Sequence, residues 1–235
     1  MKTELYVEQL QMLLEQVISE TTSTAQQLAQ QTSHILSRRI IDPGRGIKLS
    51  TEERQALQYE IKAALEKSTY THGIGFAGYT PENQEEKDYW TLEWWFKKGD
   101  ELQQAKLENY QNAQRFLDFR SFDWFQQPAC SKQPYIQGPY VDYICNGAYT
   151  ITTAYPVMVQ SQFVGVIAID LLVSSLEKVF LPSLRKIKQA AVIINDTARV
   201  ITSNTKGFRT GTLVRHTPMA STIVRSSQPL QLLVL

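Results

Sequence analysis

Between Ala148 and Asp170 the chain holds two strand-length runs, Ala148 to Val159 and Gln162 to Asp170, separated only by Gln160-Ser161. The first is dense in β-branched and aromatic residues and the second closes on Val166-Ile-Ala-Ile-Asp170, so both favour pleated backbone. The short turn makes them an antiparallel pair. Any fold for this chain has to be built around that pair.

The flanking segments read as follows. Leu10, Leu14, Val17, Leu28 and Ile35 fall near a 3.5-residue spacing from Tyr6 to about Arg39, with Thr21 and Thr24 between them, which predicts one long amphipathic helix. Its seam suits packing within the chain or self-association through another helix. Asp42-Pro-Gly-Arg-Gly46 breaks the chain, and Ser50 with Glu53 forms a capping box for a second helix, Thr51 to about Lys67. A Gly- and aromatic-rich strand follows from Thr69. Its Gly73-x-Gly75 reads as a flexible strand edge, lacking the third glycine and the helix of a dinucleotide fingerprint. Beyond an acidic loop, Pro81 to Asp88, the segment Tyr89 to Phe96 is a strand carrying Trp90, Trp94 and Trp95. Glu101 to Phe116 reads as a polar helix or excursion. After the hairpin come a helix from Val173 to about Lys188 and a small β unit built from Ala190 to Asn195, Arg199 to Ser203 and Leu230 to Leu235.

Composition narrows the function classes. Acids and bases nearly cancel, with a formal net charge of +1 and no dense basic cluster, so nucleic acid is not an expected partner. The polar, acidic N-terminus does not resemble a secretory signal, and no apolar run reaches the ~18 residues a membrane span needs. On that basis the chain is expected to be soluble and cytoplasmic, without a membrane partner. Cys130 and Cys145 are too few for a disulfide framework, match no zinc spacing and read as structural thiols. His34, His72 and His216 are isolated, and no nucleophile elbow or phosphate loop appears, so neither catalysis nor a metal or cofactor is expected.

Trp124-Phe125, Gly138-Pro-Tyr-Val-Asp142, Tyr149 to Pro156 and Phe163 to Asp170, in that order and spacing, resemble a Cache-type sensor domain. This is the PAS-like ligand-binding module of bacterial receptors. The resemblance implies an α+β fold: a long N-terminal helix, a PAS-like antiparallel sheet and a small C-terminal second β lobe similar to that of double Cache domains. The corresponding boundaries are 1–67 for the helical segment, 68–185 for the ligand-binding lobe and 186–235 for the second lobe. In amino-acid-binding members an aromatic pair, a Tyr and a terminal Asp line the pocket, positions that match Trp124, Phe125, Tyr140 and Asp170 here. Their carboxylate-gripping Arg lies two residues before the Trp, where this chain has Phe122; the nearest Arg is Arg120.

The candidate ligand-binding residues are therefore Trp124, Phe125, Tyr140, Asp142, Tyr143, Asp170, Arg120 and Asp123. A buried ammonium needs carboxylates or ring faces around it. Asp142 and Asp170 supply the first, Trp124, Phe125, Tyr140 or Tyr143 the second, and Asp123 adds negative charge. Arg120 offers a carboxylate fork if it folds inward, or an ion pair with Asp118 or Asp123 at the surface. Asp142 binds ligand or caps a turn. Asp170 ends an otherwise apolar strand, where an acid without a task is costly. The expected function is a sensor for a small amine or amino acid that signals through its N-terminal helix, as a homodimer or to a separate effector protein. The alternative is a non-catalytic interaction or dimerisation module with a vestigial pocket.

Overall fold

The computed structural model describes residues 2–41, 46–79, 91–105, 118–143, 147–214, 222–224 and 229–235. The Asp42 to Arg45 break, the Pro81 to Asp88 loop, Trp90, most of the Glu101 to Phe116 excursion, Cys145 and His216 lie outside these residues. Helix α1 (Lys2–Ile35) runs 34 residues. Its stripe is buried inside the chain: Leu10, Leu14, Val17 and Ile18 join one core with Phe180 and Ile193, and Ala25, Leu28 and Leu36 join another with Ile61, Ile167 and Ile169. The seam read as suited to a second copy is thus covered by the chain's own layers. Thr21 and Thr32 interrupt the stripe at no polar cost, since their hydroxyls donate to the carbonyls of Val17 and Leu28, each at 2.7 Å.

Helix α2 (Thr51–Lys67) starts on the expected capping box. The Glu53 amide donates to Ser50 Oγ at 3.2 Å and the Ser50 amide to Glu53 Oε2 at 2.7 Å. Ser50→Ala should cost about 1 kcal/mol, seen in thermal denaturation as a fall of about 2–4 °C for a chain of this size.

The main sheet contains β1 (Gly73–Gly78), β2 (Leu92–Lys98), β3 (Glu101–Gln104), β4 (Tyr135–Val141), β5 (Tyr149–Val159) and β6 (Gln162–Leu172). It is antiparallel, in the order β3-β2-β1-β6-β5-β4. The predicted hairpin is β5 and β6, and its turn residues Gln160 and Ser161 both take left-handed φ values, 49° and 64°, the geometry that matches strand twist. Between β3 and β4 lie a 3-10 turn (Phe119–Ser121) and α3 (Asp123–Ser131). Helix α4 (Val173–Leu184) leads to a four-stranded sheet of β7 (Ala191–Asn195), β8 (Val200–Ser203), β9 (Thr222–Val224) and β10 (Leu230–Val234), in the order β8-β7-β10-β9. The chain is α+β, with a long N-terminal helix, a PAS-like sheet and a small second sheet.

Three strands depart from the sequence reading, of which β9 falls between the expected Arg199 to Ser203 and Leu230 to Leu235 strands. The start of the expected polar helix or excursion is β3, which pairs Gln104 with Trp95 and Gln103 with Phe96. Tyr135 to Val141 is a strand despite Gly138-Pro139, because the pair falls where the register slips between Gln137 and Tyr140, and a bulge tolerates a missing amide.

The two faces of the sheet differ in kind. Ile74, Phe76, Ile167 and Ile169 face the core shared with α1 and α2. Glu93 is also buried on the α2 side, where Arg54, Gln58 and Gln104 each donate to its carboxylate at 2.9 Å. On the opposite face, cross-strand partners Gly73, Asp170 and Thr152 form one row, and Gly75, Ala168 and Ala154 the next. Small side chains there leave a shallow floor for whatever lies above.

Candidate ligand-binding site

Trp94 and α3 cover that floor. Trp94 sits opposite Gly75 in the register, and its indole occupies the space that side chains at 73 and 75 would take: a Cβ at Gly73 would meet Trp94 Cζ2 at 2.9 Å. These glycines belong to a central strand, with β2 and β6 on either side. The flexible-edge reading is thereby corrected; they are small because the indole needs their room.

Trp124 and Phe125 stand in the first turn of α3. The helix has no side-chain cap of its own, and Gln137 Oε1 on β4 accepts the Trp124 amide at 2.8 Å instead. That bond sets the indole over the floor. At the other edge the β4 bulge aims Tyr140 at β5, its hydroxyl 2.8 Å from Thr152 Oγ1. Asn195 of the second sheet donates to the Gly138 carbonyl at 2.6 Å, so the bulge is held from both lobes.

Beneath these rings are two carboxyl groups. Asp170 is 2% exposed and Asp142 5%. Thr152 Oγ1 donates to Asp170 Oδ1 at 2.6 Å, and Asp142 lines the same cavity beside it. Burial pushes Asp170 well above the ordinary carboxylate range, the neighbouring Asp142 charge adds to the rise, and the Thr152 hydroxyl opposes it. Two acids so placed disfavour double ionisation, because two adjacent buried negative charges repel strongly. The cavity they share is lined by Leu92, Trp94, Trp124, Tyr140, Asp142, Thr152, Ala168 and Asp170, and its volume is ≈ 10 Å³, about one water.

Among the sequence candidates, Trp124, Tyr140, Asp142 and Asp170 come together here. The others stand apart from this cavity. Phe125 is core, its ring packed edge-on to Phe119 and Phe163 at 5.3 and 6.0 Å. Tyr143 is 66% exposed. Asp123 is exposed at the start of α3. Arg120 forms the ion pair with Asp118, partly buried: Nη2 lies 2.7 Å from Asp118 Oδ2 and Nε 2.9 Å from Oδ1. The main chain of Asp142 closes a turn with Gly147 and Ala148, and its side chain lines the cavity beside Asp170. Trp94 and Thr152 were missed as site residues. The small-residue rows on β1, β5 and β6 were the available signal for them. No cluster of three or more His, Cys, Asp or Glu able to hold a metal occurs among the described residues.

A PAS-like sheet with a small capped cavity on one face is the architecture of a sensor domain. The family of methyl-accepting chemotaxis protein-like first PDC sensor domains matches residues 57–178, more than half of the chain, and the chain belongs to it. Solved structures agree in fold. The ligand-binding domain of the Campylobacter jejuni chemoreceptor Tlp3, in complex with L-valine, superposes with a TM-score of 0.58 at 13% identity, over 88% of this chain and 71% of that one. The extracellular domain assigned to a histidine kinase, mmHK1S-Z3, gives 0.56 at 14%, over 83% and 69%. A methyl-accepting chemotaxis protein X gives 0.56 at 17%, over 87% and 76%. No characterised protein sequence aligns significantly with the chain.

The family overturns one expectation. The matching histidine-kinase structure is an extracellular domain, and with the chemoreceptor family match this points to a periplasmic or extracellular placement rather than a cytoplasmic one. The cytoplasmic expectation rested on the polar N-terminus and the lack of a long apolar run. No described helix is long and apolar enough to cross a membrane, but that leaves the compartment open.

Proposed function

We propose that this sensor domain recognises a small metabolite through its ammonium group, held between Asp142 and Asp170 and beneath Trp94, Trp124 and Tyr140. The observation that carries the reading is the buried carboxyl pair. An ammonium arriving there turns mutual repulsion into two ion pairs, while each ring face adds ~0.5–2 kcal/mol. The L-valine held by the chemoreceptor relative also bears such a group. A carboxylate on the ligand would need Arg120 to leave Asp118, so Arg120→Ala should change the affinity for a simple amine less than about twofold and that for an amino acid about tenfold or more. Calorimetric titration of both ligand types checks this.

Since the cavity holds about one water, binding requires α3 and β4 to move outward. Asp170 and Thr152 alternate along their strands with Leu171 and Ile151, which pack in one core with Leu10 and Leu14 of α1. Displacement at the pair is therefore felt at the helix, provided the ligand favours one arrangement over the other. The small cavity also favours the second reading, an interaction module whose pocket is vestigial. A thermal-shift screen with amino acids, polyamines, quaternary amines and short carboxylates separates the two. A ligand at ~100 times its Kd adds roughly 2.7 kcal/mol. The sensor reading expects ammonium-bearing compounds to stabilise; silence from every class with a cooperative melt favours the module.

A further inference from the structure

We infer that the cavity at the joint between β1, β2 and α4 is a second binding site, for a small oxyanion such as a carboxylate or inorganic phosphate. It is independent of the amine reading. This cavity measures ≈ 220 Å³ and is lined by Thr69, Tyr70, His72, Lys97 and Ser175, among others. That is below the ~300–1,000 Å³ of pockets for drug-sized ligands, and suits a small one.

Its chemistry has one sign. Lys97 and His72 both face it, and no acid is among its lining residues. Burial, then the Lys97 charge, holds His72 below its ordinary value, and burial also lowers Lys97. The two groups therefore share a partly desolvated space that favours added negative charge. Lys97 Nζ donates to the Ser68 carbonyl at 2.5 Å, which leaves two of its three donors. Glu20 is the acid that draws Lys97, yet its carboxylate is engaged by Ser68 Oγ at 2.8 Å and the Thr69 amide at 3.1 Å, outside the cavity lining. Among the described residues, no hydrogen bond within the chain engages the side-chain hydroxyls of Thr69, Tyr70 or Ser175. An oxyanion takes up the Lys97 ammonium, an imidazole N–H of His72 and these hydroxyls together. The site also touches the sensor strand, because the His72 amide donates to the Asp170 carbonyl at 2.8 Å.

The test titrates the purified protein with sodium phosphate, acetate and malonate against sodium chloride at matched ionic strength. Thermal shift and the ring-proton NMR signals of His72, assigned through His72→Gln, are the readouts. Saturable stabilisation accompanied by a His72 shift is expected, with phosphate and carboxylate arms showing which oxyanion is preferred. Lys97→Met should weaken binding about tenfold or more, the loss of a charge-assisted bond. Ser175→Leu fills the cavity, leaves Lys97 and His72 in place and should abolish binding, so it decides the matter if Lys97→Met fails to fold. No saturable response to any of the three anions, or an affinity unchanged in Ser175→Leu, would overturn the assignment.

Discussion

Asp170→Asn is expected to make the unliganded protein more stable at neutral pH while removing its response to amines. In the wild type the folded-state value of Asp170 is raised by burial and by Asp142, so the native chain binds a proton more tightly than the unfolded one. Stability is then greatest below the unfolded value of ~3.9 and falls as pH rises, by about 1.4 kcal/mol per pH unit until the folded value is passed. Asparagine reproduces the protonated acid: its NH2 group donates towards Asp142 and its oxygen accepts from Thr152. The variant should therefore match wild type near pH 4, lack the decline above it, and melt several degrees higher at pH 7, at about 2–4 °C per kcal/mol. Alanine is a poorer probe because it leaves the Thr152 hydroxyl without its acceptor. Amine affinity should drop by roughly 2–5 kcal/mol, the cost of losing one partner of a buried charge pair. Denaturation across pH with and without ligand measures both effects.

Gly75→Ala should be the most damaging single-methyl change near the site. The added carbon would overlap the Trp94 indole and stand 2.5 Å from the Glu93 carbonyl, and strand backbone has nowhere to retreat between β2 and β6. Overpacking of this kind costs roughly 3 kcal/mol or more, a drop of about 6–12 °C at the same conversion. Because the indole is a wall of the ligand cavity, binding should weaken along with stability. In the double variant with Trp94→Ala the ring overlap disappears and the carbonyl contact remains. Its destabilisation should be smaller than the sum of the single effects, and thermal melts of the four proteins give that coupling.

What could be read in the sequence was what is local. The Gln160-Ser161 hairpin, the Ser50 and Glu53 box, α4 and the short apolar runs of β7 and β10 carry their own turn and composition signals. The strands β3 and β4 carry weaker ones. The first is short and polar, and the second contains Gly138-Pro139, which reads as a turn until the bulge against β5 accommodates it. Asp170 stood out because an acid interrupts an apolar run, which β6 carries on through Leu171 and Leu172. Thr152 did not, since a threonine in a strand looks ordinary until its register against Asp170 is known. The meaning of Gly73 and Gly75 depends on Trp94, about twenty positions later, and no local rule connects them. Arg120 had two partners available in sequence, and proximity to Asp118 chose one. The compartment was misjudged because it belongs to the architecture in which such domains occur, not to the physical character of this stretch of chain.

The ammonium claim is tested most directly by calorimetric titration with matched pairs: each compound that stabilises the protein, and the same compound with hydrogen or hydroxyl in place of its nitrogen. The account predicts binding by the nitrogen-bearing member, at least about a hundredfold weaker binding by its partner, and loss of the difference in Asp170→Asn. Equal affinities within a pair, or a preference that survives in Asp170→Asn, would contradict it.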